Sequence, residues 1–353
     1  MLRQLAKLSG GMLFRFGHLT DPAALKALDR DEAAPTRGGR RIPGHSPGVP
    51  AWRTALGLVT VAAIGGSAFL FLRVAAPAFG AAPLIESRLA IGALILSPFA
   101  WRARRQLAAA GWWKITAVGA VNLLVPFLLF AWSSERAPVG VNVMVFSMSV
   151  PFAALGAFAL YRERMARRRV VGMLAGLAGV ALLASSHLSG VGVGFAVAAG
   201  TAAALLFGGS ANLVKRQFEG VPAIELIAAM LASDALLLAP FAIVAWPAHS
   251  IPGRAWMDTV ALGVLCTGLV YALYFRLIQR IGAPRAAMMA YLVPAFGVLW
   301  AWLALGEPLT IDMAAGGALI LGGMLFGQLQ PRSAAVRSAA PALHERPCAH
   351  CGS

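Results

Sequence analysis

The sequence predicts an all-α polytopic membrane protein: ten transmembrane helices arranged as two inverted five-helix repeats. Three observations predict it. The 353 residues are 59% hydrophobic and 12% charged, with mean hydropathy +0.74, whereas soluble domains are about a quarter charged. Ten apolar runs follow one another, each long enough to cross about 30 Å of hydrocarbon as a helix. None alternates every second residue as a barrel strand would. Finally, the second half of the chain repeats the first.

Taken in order, residues 1–53 are polar and basic, rich in Gly and Pro from Pro35 onward, and hold no apolar run long enough for a signal-peptide core. They are expected to form a disordered cytoplasmic tail, with Leu2–Leu19 readable alternatively as a basic amphipathic helix on anionic lipid. The ten segments are placed at 54–72, 81–101, 113–133, 139–161 and 170–186, then 191–213, 222–246, 256–277, 284–305 and 310–329. The first five form one repeat, 54–186. The second five form the other, 191–329, and 330–353 is a second cytoplasmic tail.

The repeat is explicit. Adding 144 to Glu163, Gly172 and Gly179 reaches Glu307, Gly316 and Gly323, and the same offset carries Ala117, Gly119 and Arg136 onto Ala261, Gly263 and Arg280. Pro151 and Pro294 differ by 143, as do the GGSA motifs Gly65–Ala68 and Gly208–Ala211. A fixed long period decides architecture before any local reading does.

Orientation follows from Lys and Arg. With the N-terminus inside, nine fall in the first tail, four after the second segment, five after the fourth, two after the sixth, three around the eighth-to-ninth loop and three in the last tail. Only Arg73, Arg136 and Arg254 fall outside, and Arg88 lies within a segment. Both termini are therefore expected in the cytoplasm. Because a repeat of five helices is odd, the second copy enters from the opposite side, which is the architecture of many secondary transporters.

The residues Pro294, Gly306, Glu307, Gly316 and Gly323, with Pro151, Glu163, Gly172 and Gly179 in the first copy, GGSAFLFLR at Gly65–Arg73 and Arg88, resemble the EamA type of the drug/metabolite transporter superfamily. One departure is Arg162, which precedes Glu163 where the pattern prefers Gly. The resemblance spans about residues 54 to 329. It implies export or exchange of small metabolites, amino acids or drug-like solutes across a bacterial inner membrane by alternating access, with no cofactor and with energy from a gradient. Protons are the candidate coupling ion.

Within this frame Asp234, mid-way along the seventh segment, is costly if ionised, by about 2.5–3.5 kcal/mol. It should face the bundle interior, either as a proton-coupling or substrate-amine contact or as a carboxyl hydrogen-bonded to a neighbouring helix. Glu86 and Arg88, two positions apart, lie about 200° apart on a helix and cannot pair with each other. Arg88 either extends to the interface or holds a carboxylate, from substrate or from another helix. The second copy has Met230 near the matching position, so the requirement is not symmetric.

Substrate-cavity candidates are Ser67, Asn122, Phe127, Ser147, Tyr271, Tyr274 and Tyr291, with Ser149 and Thr267 beside them. Repeat matching sets Asn122 opposite Cys266, Phe127 opposite Tyr271 and Phe130 opposite Tyr274. Mixed aromatic and hydroxyl linings suit amphipathic solutes, while interhelical hydrogen bonding is the alternative use of such groups. Pro151 and Pro294 are the hinge candidates. Glu163 and Glu307 read as caps for the helices that follow them, with a gating role as the alternative. The spaced glycines of the fifth and tenth segments are close-packing positions, and a homodimer is one assembly they would allow.

Other classes fit poorly. Net charge +16 would suit nucleic acid in a soluble protein, but here the cations are topology signals. Three cysteines make no disulfide framework. His344, Cys348, His350 and Cys351 match no zinc-finger spacing and read as a disordered tail. Every histidine lies in a loop or tail, so an intramembrane enzyme is not indicated. A channel or a non-transporting scaffold is the remaining alternative, and no charged or carbonyl-lined filter is evident.

Overall fold

Ten apolar helices occupy the predicted segments of a computed structural model that describes residues 51–163, 165–186, 191–282, 286 and 288–328. The first half contains α1 (Ala51–Phe79), α2 (Ala81–Arg102), α3 (Trp112–Ser134), α4 (Val139–Tyr161) and α5 (Arg167–Ser186). The second contains α6 (Val191–Gln217), α7 (Ala223–Val244), α8 (Gly253–Ile281), α9 (Met289–Leu305) and α10 (Ile311–Gln328). A short helix, Arg104–Ala110, joins α2 to α3, and no strand occurs among the described residues. The Leu2–Leu19 stretch and the Cys/His tail lie outside those residues.

Two boundaries differ instructively from the hydropathy reading. Helix α1 runs past 72 to Phe79 because Arg73 does not end it. Its Nη1 donates to the carbonyls of Ser134 and Glu135, both at 2.9 Å, so the cation meets the negative end of α3. Helix α9 starts at Met289 rather than 284, leaving 17 residues, near the lower limit for a span.

Packing shows how the halves are related. Helix α1 lies against α9 and α6 against α4; α6 also lies against α3, and α8 against α1; α2 lies along α7. Exchanging the repeats swaps the members of the first two pairings and of the next two, and maps α2–α7 onto itself. Helices α5 and α10 behave likewise. A Cβ on Gly172 would collide with the carbonyl of Gly323, and a Cβ on Gly179 would sit 2.7 Å from that of Gly316. The repeat converts each of these glycine pairs into the other. Such swapped contacts define a two-fold relation between halves of opposite topology. The spaced glycines therefore join two helices of one chain through backbone approach.

The GGSA glycines serve the α1–α9 and α6–α4 contacts. A Cβ on Gly66 would come 2.8 Å from the Gly297 nitrogen, and one on Gly208 would strike the Ser149 carbonyl. Helix α1 remains unbroken through Gly65 and Gly66, so these glycines are packing surfaces and not a helix break.

Both acidic ends share one geometry. Gly306 takes φ 66°, and Arg162 takes φ 53° despite its side chain. Glu307 N–H reaches Ala301 O at 3.2 Å while Gly306 N–H reaches Trp302 O at 3.1 Å; Glu163 to Ala157 (3.4 Å) and Arg162 to Phe158 (2.8 Å) repeat this. A left-handed residue whose amide returns to the carbonyl four residues back is the αL termination, normally glycine's place. Arg162 thus adopts the left-handed cap that the motif requires, and α4 ends where α9 does.

The prolines are not equivalent. Helix α4 is interrupted at Met148, between Val139–Ser147 and Ser149–Tyr161. The break lies one turn ahead of Pro151, which cannot donate to the preceding turn. Helix α9 stays regular through Pro294.

Candidate functional site

Two short π-helical turns shape the centre. Ala120–Leu124 interrupts α3, and Val264–Leu269 interrupts α8 at the matched place. Each follows a glycine, Gly119 or Gly263. A π-turn adds a residue to the helical turn and re-aims the side chains around it, often at functional sites. In α3, Asn122 Nδ2 donates to Ser210 Oγ (2.8 Å) and to Phe207 O (3.3 Å) on α6. In α8, Cys266 Sγ donates to Ile64 O (3.3 Å) and lies 3.6 Å from Ser67 Oγ on α1. Residues 64 and 67 are the repeat partners of 207 and 210, so one contact appears twice with different chemistry.

Arg88 on α2 is 6% exposed and points inward, not to the interface. Its Nε donates to Thr267 Oγ1 at 3.0 Å, and the Thr267 hydroxyl donates to Leu262 O at 3.1 Å across the π-turn. Its guanidinium carbon lies 3.8 Å from the centre of the Phe127 ring on α3. Cys266 is the neighbour of Thr267 in the same π-turn, and Tyr271 follows Thr267 by four residues on α8, about one turn along. Tyr271 stacks on Phe275, with centroids 6.4 Å apart. Four predicted positions, Ser67, Arg88, Phe127 and Tyr271, therefore converge around Thr267 and Cys266.

The remaining candidates lie elsewhere. Asn122 serves the α3–α6 contact, Ser147 donates to Val143 O of its own helix at 3.1 Å, and Tyr274 lies against Phe275, centroids 5.9 Å apart. The Tyr291 hydroxyl and Glu86 Oε2 are buried with no hydrogen-bond partner among the described residues. Asp234 is fully buried, and neither of its carboxylate oxygens has a hydrogen-bond partner among the described residues. They face bare Gly119, where a Cβ would come within 2.8 and 2.9 Å. The corresponding close approach in the other half sets Gly263 against Ile91. The hydrogen bond to a neighbouring helix offered above as one reading of Asp234 is not made among the described residues.

Several buried polar groups escaped the sequence reading. The Ser133 hydroxyl lies 2.6 Å from Asn142 Oδ1 and 2.7 Å from Ala196 O, tying α3, α4 and α6 together, and Asn212 Nδ2 donates to Ala153 O at 2.7 Å. Beside them, Phe69, Phe130, Phe146 and Phe207 form an aromatic cluster with centroids 5.5–5.7 Å apart. For Ser210 a signal existed, since it is the repeat partner of the chosen Ser67. Asn142 offered none.

The helix-end acids depart from the expected caps. Glu307 accepts from the amides of Val139 (3.1 Å) and Gly140 (3.4 Å) at the start of α4, in the other half. The following helix, α10, is capped by Thr310, whose Oγ1 accepts from Met313 N–H at 3.2 Å, which frees Glu307 to reach across. Glu163 instead pairs with Arg216 at 2.6 Å on an exposed surface.

These matched turns, glycines and terminal acids recur in both halves, and the sequence pattern of the EamA-like transporter family matches residues 52–185 and again 194–327. The chain belongs to that family. It is an integral membrane transporter of the EamA-like type, and its relatives carry transport names. "Uncharacterized transporter YoaV" of Bacillus subtilis (strain 168) is 25% identical over 52% of this chain and 64% of that protein. "Probable terminal-alkyne amino-acid exporter" of Streptantibioticus cattleyicolor is 26% identical over 78% of this chain and 92% of its own length. "Probable amino-acid metabolite efflux pump" of Salmonella typhimurium (strain LT2) is 26% identical over 56% and 71%. A crystal structure of a protein 21% identical in sequence superimposes with TM-score 0.56, covering 82% of this chain and 99% of that one, a likeness of fold.

Proposed function

We propose that this EamA-like protein is a secondary transporter that exports small metabolites, amino acids among them, by alternating access. One observation carries the reading: the glycine pairs of α5 and α10, and the Asn122 and Cys266 contacts, interchange under the repeat. Two halves that meet through interchangeable contacts can occupy two arrangements of similar energy, which rocking about a central site requires. Pro151, beside the interruption of α4, supplies one bending point and Pro294, in a helix that is regular in this arrangement, its counterpart in the other; Asp234, buried without a partner among the described residues, couples the cycle to protons. The lysine and arginine distribution supports a bacterial inner membrane with both termini in the cytoplasm, and the names of the relatives favour amino-acid-like cargo.

The test is counterflow. Purified protein in liposomes preloaded with an unlabelled amino acid should accumulate the labelled form transiently and saturably. Flux that is linear in concentration, with no counterflow, would indicate a channel instead.

A further inference from the structure

Resting on the transporter reading, we propose that Arg88 is the anchor for a carboxylate group of the transported solute, in a subsite completed by Thr267, Tyr271 and Phe127. The substrates are then small monocarboxylates with an apolar body.

The first ground is charge. A guanidinium remains protonated even when buried, and Arg88 is 6% exposed in the middle of the bundle. Ion pairs among the described residues are Arg136–Glu135 and Arg216–Glu163, both elsewhere, and neither Glu86 nor Asp234 comes within ion-pairing distance of it. A buried cation without a counter-ion is unfavourable, and an anionic ligand relieves it. A single cation matches a single negative charge, which favours a carboxylate over a phosphate dianion.

The second ground is geometry. Thr267 holds Nε, and Thr267 is itself held by Leu262 O across the π-turn. The Phe127 face fixes the plane of the fork at 3.8 Å. Nε is the only nitrogen of Arg88 engaged in a hydrogen bond among the described residues, so the terminal amino groups keep parallel donors for the bidentate contact that carboxylates accept. Tyr271 follows Thr267 by four residues on α8, about one turn along the same face, and its stack on Phe275 offers ring surface for an apolar body.

The third ground is asymmetry. The second half has Met230, flanked by Ala229 and Leu231, near the position matched to Arg88, so the fold does not need a charge there. A cation present once in a duplicated frame points to cargo and not to architecture.

The experiment measures binding separately from transport. Calorimetry and thermal shift on purified full-length protein compare L-phenylalanine, 3-phenylpropanoate and L-phenylalaninamide. The two carboxylates should bind saturably and raise the melting temperature, and the amide should not. Arg88→Gln should weaken carboxylate binding by about thirtyfold or more, and Arg88→Lys, which keeps charge but loses the fork, by about tenfold. Should Arg88→Gln fail to fold, Thr267→Val keeps the cation while removing the Nε partner, together with the bond to Leu262 O, and should weaken binding by about fivefold. The proposal is overturned if the amide binds as well as the acids, if neither acid binds the wild type at millimolar concentration, or if these variants bind unchanged. Carboxylate binding without counterflow would sink the transporter reading and leave the site standing. Counterflow of L-phenylalanine undiminished in Arg88→Gln would do the reverse.

Discussion

In the first half an asparagine in the π-turn of α3 reaches Ser210; in the second half a cysteine in the matching turn of α8 reaches Ser67. Across the α2–α8 contact Ile91 packs on Gly263, while across the equivalent α7–α3 contact Asp234 occupies the space over Gly119. Arg88 answers to Met230. The backbone devices are thus duplicated, whereas the charged groups at depth are each present once. Duplication preserved what two inverted halves need in order to fit each other. The ionisable groups at depth, which cost free energy in hydrocarbon, have no counterpart in the opposite half: Arg88 lies in the first and Asp234 in the second.

The largest effect should come from breaking the shared frame. Gly172→Leu or Gly323→Leu forces a side chain into facing backbone, and the loss should be about 3–5 kcal/mol or outright failure to fold. Size-exclusion chromatography and thermal melts of the two variants should agree, since each disturbs the same contact.

Next come the single ionisable groups. Asp234→Asn should leave folding intact, because neither oxygen makes a bond to lose, yet abolish the dependence of transport on a pH gradient in proteoliposomes. The ionisable groups on the helices packed beside it include Arg88 and Glu86 of α2 and Lys114 of α3. Unaltered pH dependence in Asp234→Asn would remove protons from the proposal.

The terminal acids sharpen the comparison at smaller magnitude. Glu307→Gln loses a charge-assisted cap on α4 and should cost about 1 kcal/mol. Glu163→Gln loses an ion pair whose side chains are 49–50% exposed and should cost well under about 1 kcal/mol. Chemical-denaturation midpoints of the two variants would rank them. Smallest is Arg162→Gly, which relieves a left-handed residue and should stabilise by about 0.5–1 kcal/mol.

The helices, their order and the two-fold repeat were legible because hydrocarbon demands long apolar runs, and because Gly, Pro and Glu mark backbone events at fixed spacing. Ser67, Arg88, Phe127 and Tyr271 stood out as polar, charged or aromatic residues at mid-depth. The π-turns were not legible, since one extra residue in a helical turn leaves hydropathy unchanged. Nor was the reach of Glu307 to α4: its partners are backbone amides 168 and 167 positions away, and a Thr310 cap looks like any loop threonine. Asn142 and Ser133 lie in an apolar run, where only a three-helix contact reveals their pairing.

The central claim is that the two halves rock against each other so that the ends of the bundle open in turn. Spin-label pairs at symmetry-related ends test it directly: Arg136 with Leu309 at one end, Ala166 with Arg280 at the other, all four exposed. Distances are measured in liposomes with and without saturating substrate. The account predicts opposite changes, one pair widening as the other closes. Two pairs that stay fixed, or widen together, would contradict it.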